Sequence, residues 1–268
     1  MSPAAKLTAT LRDYGPTLVA FSGGVDSSVV LAAAARALAA DAAAVTAVSP
    51  SLPEAELASA RQFCTRIGVT HHTVTTSELD VPGYRENGSQ RCYFCKQTLM
   101  AAATRLADER GYTTIATGTN ASDVAEGFRP GIRAATEGGA RTPLADLDLD
   151  KAAVRAIAAE WGLPTSDKPA SACLSSRIAY GLTITPARLA RVERAESAAR
   201  ALLAEHGVRN LRVRDLGDAV RLEVDAEAVA VARDHHALRT AIREAGFEDL
   251  PLVVEPFRSG SMNELLHR

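Results

Sequence analysis

"FSGGVDSS", residues 21 to 28, stands between the apolar run TLVA (17–20) and the helical pattern SSVVLAAAARALAA (27–40). A strand that runs into two glycines and then directly into a helix presents bare backbone and the helix's first amide groups beyond the strand end. Those amides and the positive end of the helix dipole suit an anion. Ser22, Gly23, Gly24, Val25, Asp26, Ser27 and Ser28 are therefore the expected phosphate contacts. Asp26 puts a carboxylate beside the anion, which makes chemical sense if it holds Mg²⁺ or orients a water-bridged pyrophosphate. Neither G-x-x-x-x-G-K-[S/T] nor G-x-G-x-x-G occurs, so a Walker-type nucleoside triphosphatase and a dinucleotide-binding loop are both unsupported.

Outward from this loop, β-rich runs alternate with helical ones. TLVAFSG (17–23), AAVTAVS (43–49), THHTVTT (70–76) and TTIATGT (113–119) read as strands. SSVVLAAAARALAA, EAELASARQFCTRIG and CKQTLMAAATRLADERG read as the helices between them. This alternation predicts an α/β domain, a parallel sheet with helices on both faces. Past residue 150 come a helix (DKAAVRAIAAEWGLP), a polar loop, and a long helix with Pro186 in its first turn and Gly207 as its stop. Strands VRNLRVRDLG and AVRLEVD, the helix AEAVAVARDHHALRTAIREAG and the strand LPLVVEP complete an α-β-β-α-β order. The boundary is expected near residue 185: a nucleotide domain over 1–185 and a small α+β domain over 186–268.

The 268 residues carry a net charge of −2 with pI near 6.3, so no overall basic field points to nucleic acid. No apolar run approaches the ~20 residues that span a bilayer, and no basic-plus-apolar leader opens the chain, so a cytoplasmic location is expected. Four cysteines without a secretion signal point to reduced, metal-binding or catalytic thiols rather than a disulfide framework.

Cys64, within a helical pattern, reads as a small buried hydrophobe. Cys92 and Cys95 form a C-x-x-C, which alone supports a zinc site, a redox pair or an iron–sulfur centre. No second pair or H-x₃₋₅-H completes a zinc site. Cys173 lies in "KPASACLSSR" (168–177), a polar loop that gives it no packing role. Three thiols are a workable set for a [4Fe–4S] cluster with one open iron, although unrelated thiols remain the alternative.

S-G-G-x-D-S resembles the signature of the PP-loop ATP pyrophosphatases. That resemblance implies cleavage of ATP between its α and β phosphates and adenylation of a carbonyl or carboxylate. It places the adenine at Ser49 in VSPSLP (48–53) and further nucleotide contacts at Gly118, Thr119, Asn120 and Asp123 in TGTNASD (117–123). FSGGVDSS, VSPSLP, RCYFCK, TGTNASD, GFRPGIRAA, DKPASACLSSRIAYGLTIT and PFRSGSMNE together resemble the LarE family of PP-loop sulfur transferases, over nearly the whole chain.

The LarE resemblance implies adenylation of a pyridinium-dicarboxylate mononucleotide and its conversion to a thiocarboxylate, for the nickel-pincer cofactor of lactate racemase. In single-cysteine members the thiol at the position of Cys173 gives up its own sulfur and becomes dehydroalanine. Three-cysteine members are thought to hold a [4Fe–4S] cluster that carries an added sulfide, and the presence of Cys92 and Cys95 favours that form here. ATP, Mg²⁺, a sulfide donor, the nickel-insertion and carboxylation enzymes of the same pathway and a homo-oligomer, a hexamer, are the implied cofactors and partners.

Cys173, Asp26 and Arg177 are the expected catalytic residues. Lys96, Arg129, Arg133, Lys168 and Arg177 are candidates for the anionic groups of the substrate, with Ser175 and Ser176 adding hydrogen bonds. Arg212 and Arg214 alternate on one strand face, Glu196 could reach the same cleft, and Arg258 could lie near it. Three rivals are kept. A tRNA thiolase calls for a basic stripe, an ammonia-using synthetase needs no cysteine, and a nucleotide sensor would leave ATP intact.

Overall fold

A computed structural model describes residues 1–127, 129–169, 171–258 and 262. The chain divides into two compact units, Met1–Glu78 with Cys92–Ala170, and Leu79–Arg91 with Ser171–Arg268.

In the first unit α1 (Pro3–Tyr14) is followed by β1 (Thr17–Ala20), α2 (Val25–Leu38), β2 (Ala42–Val48), α3 (Glu54–Ile67) and β3 (Thr70–Thr75). The short helix α4 (Pro82–Arg85) lies in the segment that belongs to the second unit. α5 (Arg91–Arg110), β4 (Thr114–Ala116), α6 (Ala121–Ala125), α7 (Pro130–Glu137), α8 (Pro143–Asp146) and α9 (Lys151–Glu160) follow. All four strands pair in parallel, in the order β3-β2-β1-β4, so the expected α/β sheet is present.

Side chains alternate across that sheet as the two-residue period requires. Val19, Ala42, Ala44 and Ala116 face a core completed by α1, α2, α3 and α9, while Leu18, Ala43 and Val45 face Ala103 and Ala107 of α5. Helices therefore cover both faces, and the alanine-rich contacts let them pack close. Cys64 belongs to the first of these cores, where burial pushes its thiol up to about 12 and leaves it no nucleophile.

The second unit holds a 3₁₀ turn (Leu174–Arg177), α10 (Pro186–Leu202), β5 (Leu211–Asp215), β6 (Val220–Val224), α11 (Val229–Asp234), α12 (His236–Ile242) and β7 (Leu252–Pro256). Its sheet has the order β5-β6-β7, antiparallel then parallel. The single helix expected over 226–246 is broken at His235, whose extended backbone lets its ring Nδ1 accept from the Leu238 amide and cap α12.

The boundary expected near residue 185 falls instead at 170/171. Residues 171–185 join the C-terminal unit because their backbone is tied there. Ala179 donates to the Asp215 carbonyl at the end of β5, and Gly181 and Ile184 donate to the carbonyls of Asn87 and Arg85. No helix among the described residues is long and apolar enough to cross a membrane. Most of the PFRSGSMNE stretch lies outside the described residues.

Candidate functional site

The phosphate loop turns at Gly23, whose φ of 72° is left-handed and favours glycine. Gly24 precedes α2 and offers no side-chain cap, whereas Asn120, Asp150 and Thr185 cap α6, α9 and α10 with their side chains. The first amides of α2 thus stay available to an anion. Ser22 and Ser27 share a hydroxyl contact of 3.1 Å, and Ser28 donates to the Gly24 carbonyl at 2.8 Å, which stiffens the turn.

A second loop lies directly against this one. A Cβ on Gly118 would sit 2.6 Å from the Ser27 nitrogen and 2.9 Å from the Asp26 carbonyl carbon, so backbone meets backbone and only glycine fits. Two positions on, Asn120 donates from Nδ2 to Asp26 Oδ1 at 3.0 Å. Burial raises the Asp26 pKa above its usual 3.8, and the Asn120 hydrogen bond opposes that rise. Asp123 closes a capping box with Asn120 and faces Lys151 at 3.3 Å and Arg129 at 3.6 Å; Arg129 also pairs with Glu126. Thr119 shares a hydroxyl contact with Thr117. The cradle fits a nucleotide's phosphates, and Asp26 is the carboxylate that would hold their Mg²⁺.

At the end of β2, Ser49 donates to the carboxylate of Glu78, which also accepts from Thr76 Oγ1 at 2.9 Å and is buried. The Ser49 hydroxyl accepts in turn from the Ser51 amide, so Glu78 pins the loop that follows. Lys168 completes the set, donating to the Gly23 carbonyl at 3.0 Å and pairing with Glu56 at 2.7 Å.

Cys92 and Cys95 lie on the first turn of α5, one turn apart and so on one face. Cys92 is exposed and Cys95 half-buried. The start of α7 packs closely here, with the Gly131 Cα position open enough to leave the Cys92 carbonyl 3.3 Å from where a Cβ would stand. Burial lowers the Lys96 pKa, and the two neighbouring thiols raise it. Arg133 lies over the Tyr93 ring and pairs with Glu137, so it is engaged on the surface of α7.

In the second unit Cys173 stands at the head of the 3₁₀ turn, half-buried, its carbonyl accepting from Ser176 N and Oγ. Arg177 is 2% exposed and is turned inward. Its Nε donates to Glu196 at 2.8 Å, and its Nη1 to the Ala172 carbonyl at 2.9 Å and to Ser176 Oγ at 2.8 Å. It shapes the cysteine loop rather than standing open to an anion. Arg214 makes two contacts with Glu223, at 2.8 and 3.1 Å, and donates to the Ser176 carbonyl. Arg212 stacks over Phe257, and its pKa falls to about 10, first from burial and then from the cations of Arg177, Arg200 and Arg214 that only Glu196 opposes. Excess positive charge of this kind favours a bound anion.

All four cysteines are thiols. Among the described residues no group of three or more His, Cys, Asp or Glu gathers as metal ligands.

Similar proteins point the same way as the two loops. The asparagine synthase family model matches residues 7–104. An uncharacterised protein of Synechocystis is 41% identical over 93% of this chain and 92% of its own. The pyridinium-3,5-bisthiocarboxylic acid mononucleotide synthase of Lactiplantibacillus plantarum is 33% identical over 98% of this chain and 94% of its own. This chain belongs to the LarE family. A Methanocaldococcus jannaschii protein, also uncharacterised, is 24% identical over 90% of each chain. As a LarE-family member the chain is an ATP-dependent sulfurtransferase built on a PP-loop.

Several residues that hold the phosphate loop, the Ser49 loop or the Cys173 loop were not evident from the sequence. Glu56, Glu78 and Glu223 stand in no motif, and Tyr84, Asn87 and Arg91 come just before the C-x-x-C without marking themselves out. No local signal marks their partners, which lie up to about a hundred positions away.

Proposed function

We propose that the chain adenylates a carboxylate of a pyridinium-3,5-dicarboxylate mononucleotide and replaces the adenylate with sulfur, forming a thiocarboxylate for nickel-pincer cofactor assembly. The substrate carboxylate attacks the α-phosphorus of ATP and pyrophosphate leaves, with Asp26 holding Mg²⁺ and the α2 amides taking the phosphates. A sulfur nucleophile then attacks the acyl carbon, and AMP leaves with the electron pair of the cleaved C–O bond. Arg212 is assigned to the substrate phosphate, with Arg214 beside it on the strand but committed to Glu223.

The observation that carries this reading is Lys168. Its ammonium is bonded to the phosphate loop, and it lies five residues before Cys173. Chain length alone keeps that thiol within roughly 18 Å of Lys168. The stretch of chain that leads to the thiol thus starts from a residue bonded to the phosphate loop.

Two routes supply the sulfur. Family resemblance favours a [4Fe–4S] cluster on Cys92, Cys95 and Cys173, which when bound offers an open iron for an added sulfide. Direct donation by Cys173 is the alternative. In that route the Cys173 thiolate forms an acyl thioester, its Cα proton is removed, and the Cβ–S bond breaks to leave dehydroalanine and the thiocarboxylate. A cytoplasmic homo-oligomer working with a carboxylating and a nickel-inserting enzyme completes the reading.

The test incubates anaerobically purified protein with Mg·ATP and the dicarboxylate mononucleotide and measures AMP, pyrophosphate and the thiocarboxylate by mass. C173A should abolish sulfur transfer on either route, and full transfer by that variant would refute the assignment. Iron and sulfide content, with the mass of the Cys173 peptide after turnover, separates the routes.

A further inference from the structure

Segment 79–91 interrupts the first unit in sequence yet belongs to the second, and the hydrogen bonds of its second half converge on one stretch of chain. α4 is followed by Asn87 at φ 55°, a left-handed conformation that asparagine tolerates and glycine adopts freely. Asn87 is fully buried, and its Nδ2 donates to the carbonyls of Ala179 at 2.8 Å, Leu182 at 3.1 Å and Ile178 at 3.3 Å. Its Oδ1 accepts from Arg91 Nη1 at 2.7 Å, and the same nitrogen donates to the Ser175 carbonyl at 3.0 Å. Arg91 is 5% exposed and lies over the Tyr180 ring. Tyr84 reaches the Ser175 hydroxyl at 2.5 Å.

These bonds hold residues 175–182, the stretch directly after Cys173. Ser171 and Ala172 on the other side of the cysteine are exposed. The thiol's C-terminal side is held through the 3₁₀ turn that follows it, from which Arg177 and Ser176 reach back to the carbonyls of Ala172 and Cys173. Buried polar networks with satisfied partners rigidify what they hold. Transfer to an acyl carbon needs a donor held near attack distance, and a misplacement of about 1 Å costs on the order of 10²-fold in rate.

We propose that Asn87 and Arg91 are positioning residues for sulfur transfer: they fix the loop that carries Cys173 and serve the transfer half-reaction but not adenylation. The proposal rests on the sulfurtransferase reading above. Arg91 immediately precedes Cys92, so the residue that clamps one thiol's loop also anchors the chain leading into the other thiols' helix.

Two variants of the full chain test it. N87G keeps the left-handed backbone and removes the amide, and R91M keeps an unbranched stem and removes the donors. Three rates are compared with wild type on folded protein: substrate-dependent ATP–pyrophosphate exchange, thiocarboxylate formation, and iodoacetamide alkylation of Cys173 followed by peptide mass. Exchange should stay within about twofold while thiocarboxylate formation falls at least about tenfold. Alkylation should rise at least about threefold as the loop loosens. Exchange and transfer falling by the same factor would mark a merely structural role and overturn the proposal, as would transfer at the wild-type rate. A wild-type protein that exchanges pyrophosphate but makes no thiocarboxylate overturns the sulfurtransferase reading, and unchanged alkylation in both variants overturns the clamp.

Discussion

Gly118→Ala offers the sharpest check on the nucleotide cradle. The added Cβ would stand 2.6 Å from the Ser27 nitrogen and 2.9 Å from Ser27 Cα and the Asp26 carbonyl carbon. To reach ordinary contact at 3.4 Å, the two loops must part by about 0.8 Å, and every atom in the way is backbone, with no flexible side chain to give. Such overpacking costs about 2–3 kcal/mol, toward the upper end of its usual range. In a unit of this size that corresponds to a fall in Tm of about 4–10 °C. The displaced atoms include the α2 amides proposed to take the phosphates, so a shift of this size should also slow adenylation by the order of 10²-fold. Thermal unfolding and ATP–pyrophosphate exchange read the two effects. Gly88→Ala is the control, since a Cβ there meets nothing within 4 Å and its φ is ordinary. A G118A protein with wild-type Tm and exchange rate would refute the close approach of the two loops.

Asp26 should show opposite pH effects on stability and ligand binding. Its pKa is raised, so between 3.8 and the raised value the folded chain holds a proton that the unfolded chain releases, and stability falls as pH rises through that window. Mg·ATP affinity should move the other way, weakening as pH drops through the raised pKa, and D26N should abolish that titration while leaving the unliganded fold at least as stable at pH 7. Lys168→Met removes a charged donor to the Gly23 carbonyl and strands the partly buried Glu56. At about 1.5 kcal/mol for such a bond, ATP affinity measured by calorimetry should fall roughly tenfold. Asp215 is fully buried against Arg188 at 2.8 Å and against Arg191. D215N should cost about 3 kcal/mol, because two guanidiniums lose their counter-charge, and denaturant unfolding of the C-terminal unit reads it.

Much of the first unit was legible because its signals are local. Strand and helix periodicities and the glycine pair at a strand end each act through neighbours a few residues away, and the parallel strands and the turn into α2 stand where those signals put them. The cationic candidates were less legible. Arg177 read as an open anion ligand, yet burial commits it to Glu196 and to the backbone of its own loop, and Arg214 is likewise taken by Glu223. Charge alone does not say whether an arginine faces solvent, substrate or a buried carboxylate.

By itself the sequence determined the parallel α/β unit, the phosphate loop and the identity of the thiols, because backbone geometry and side-chain chemistry at those positions follow from short-range patterns. Only the tertiary structure decided that residues 79–91 leave the first unit to grip the Cys173 loop, that a second loop needs glycine at 118, and that Lys168 sits on the phosphate loop. Those pairings join positions some ninety or more apart. Nothing local selects such partners; packing does, by leaving each buried donor one set of acceptors within reach.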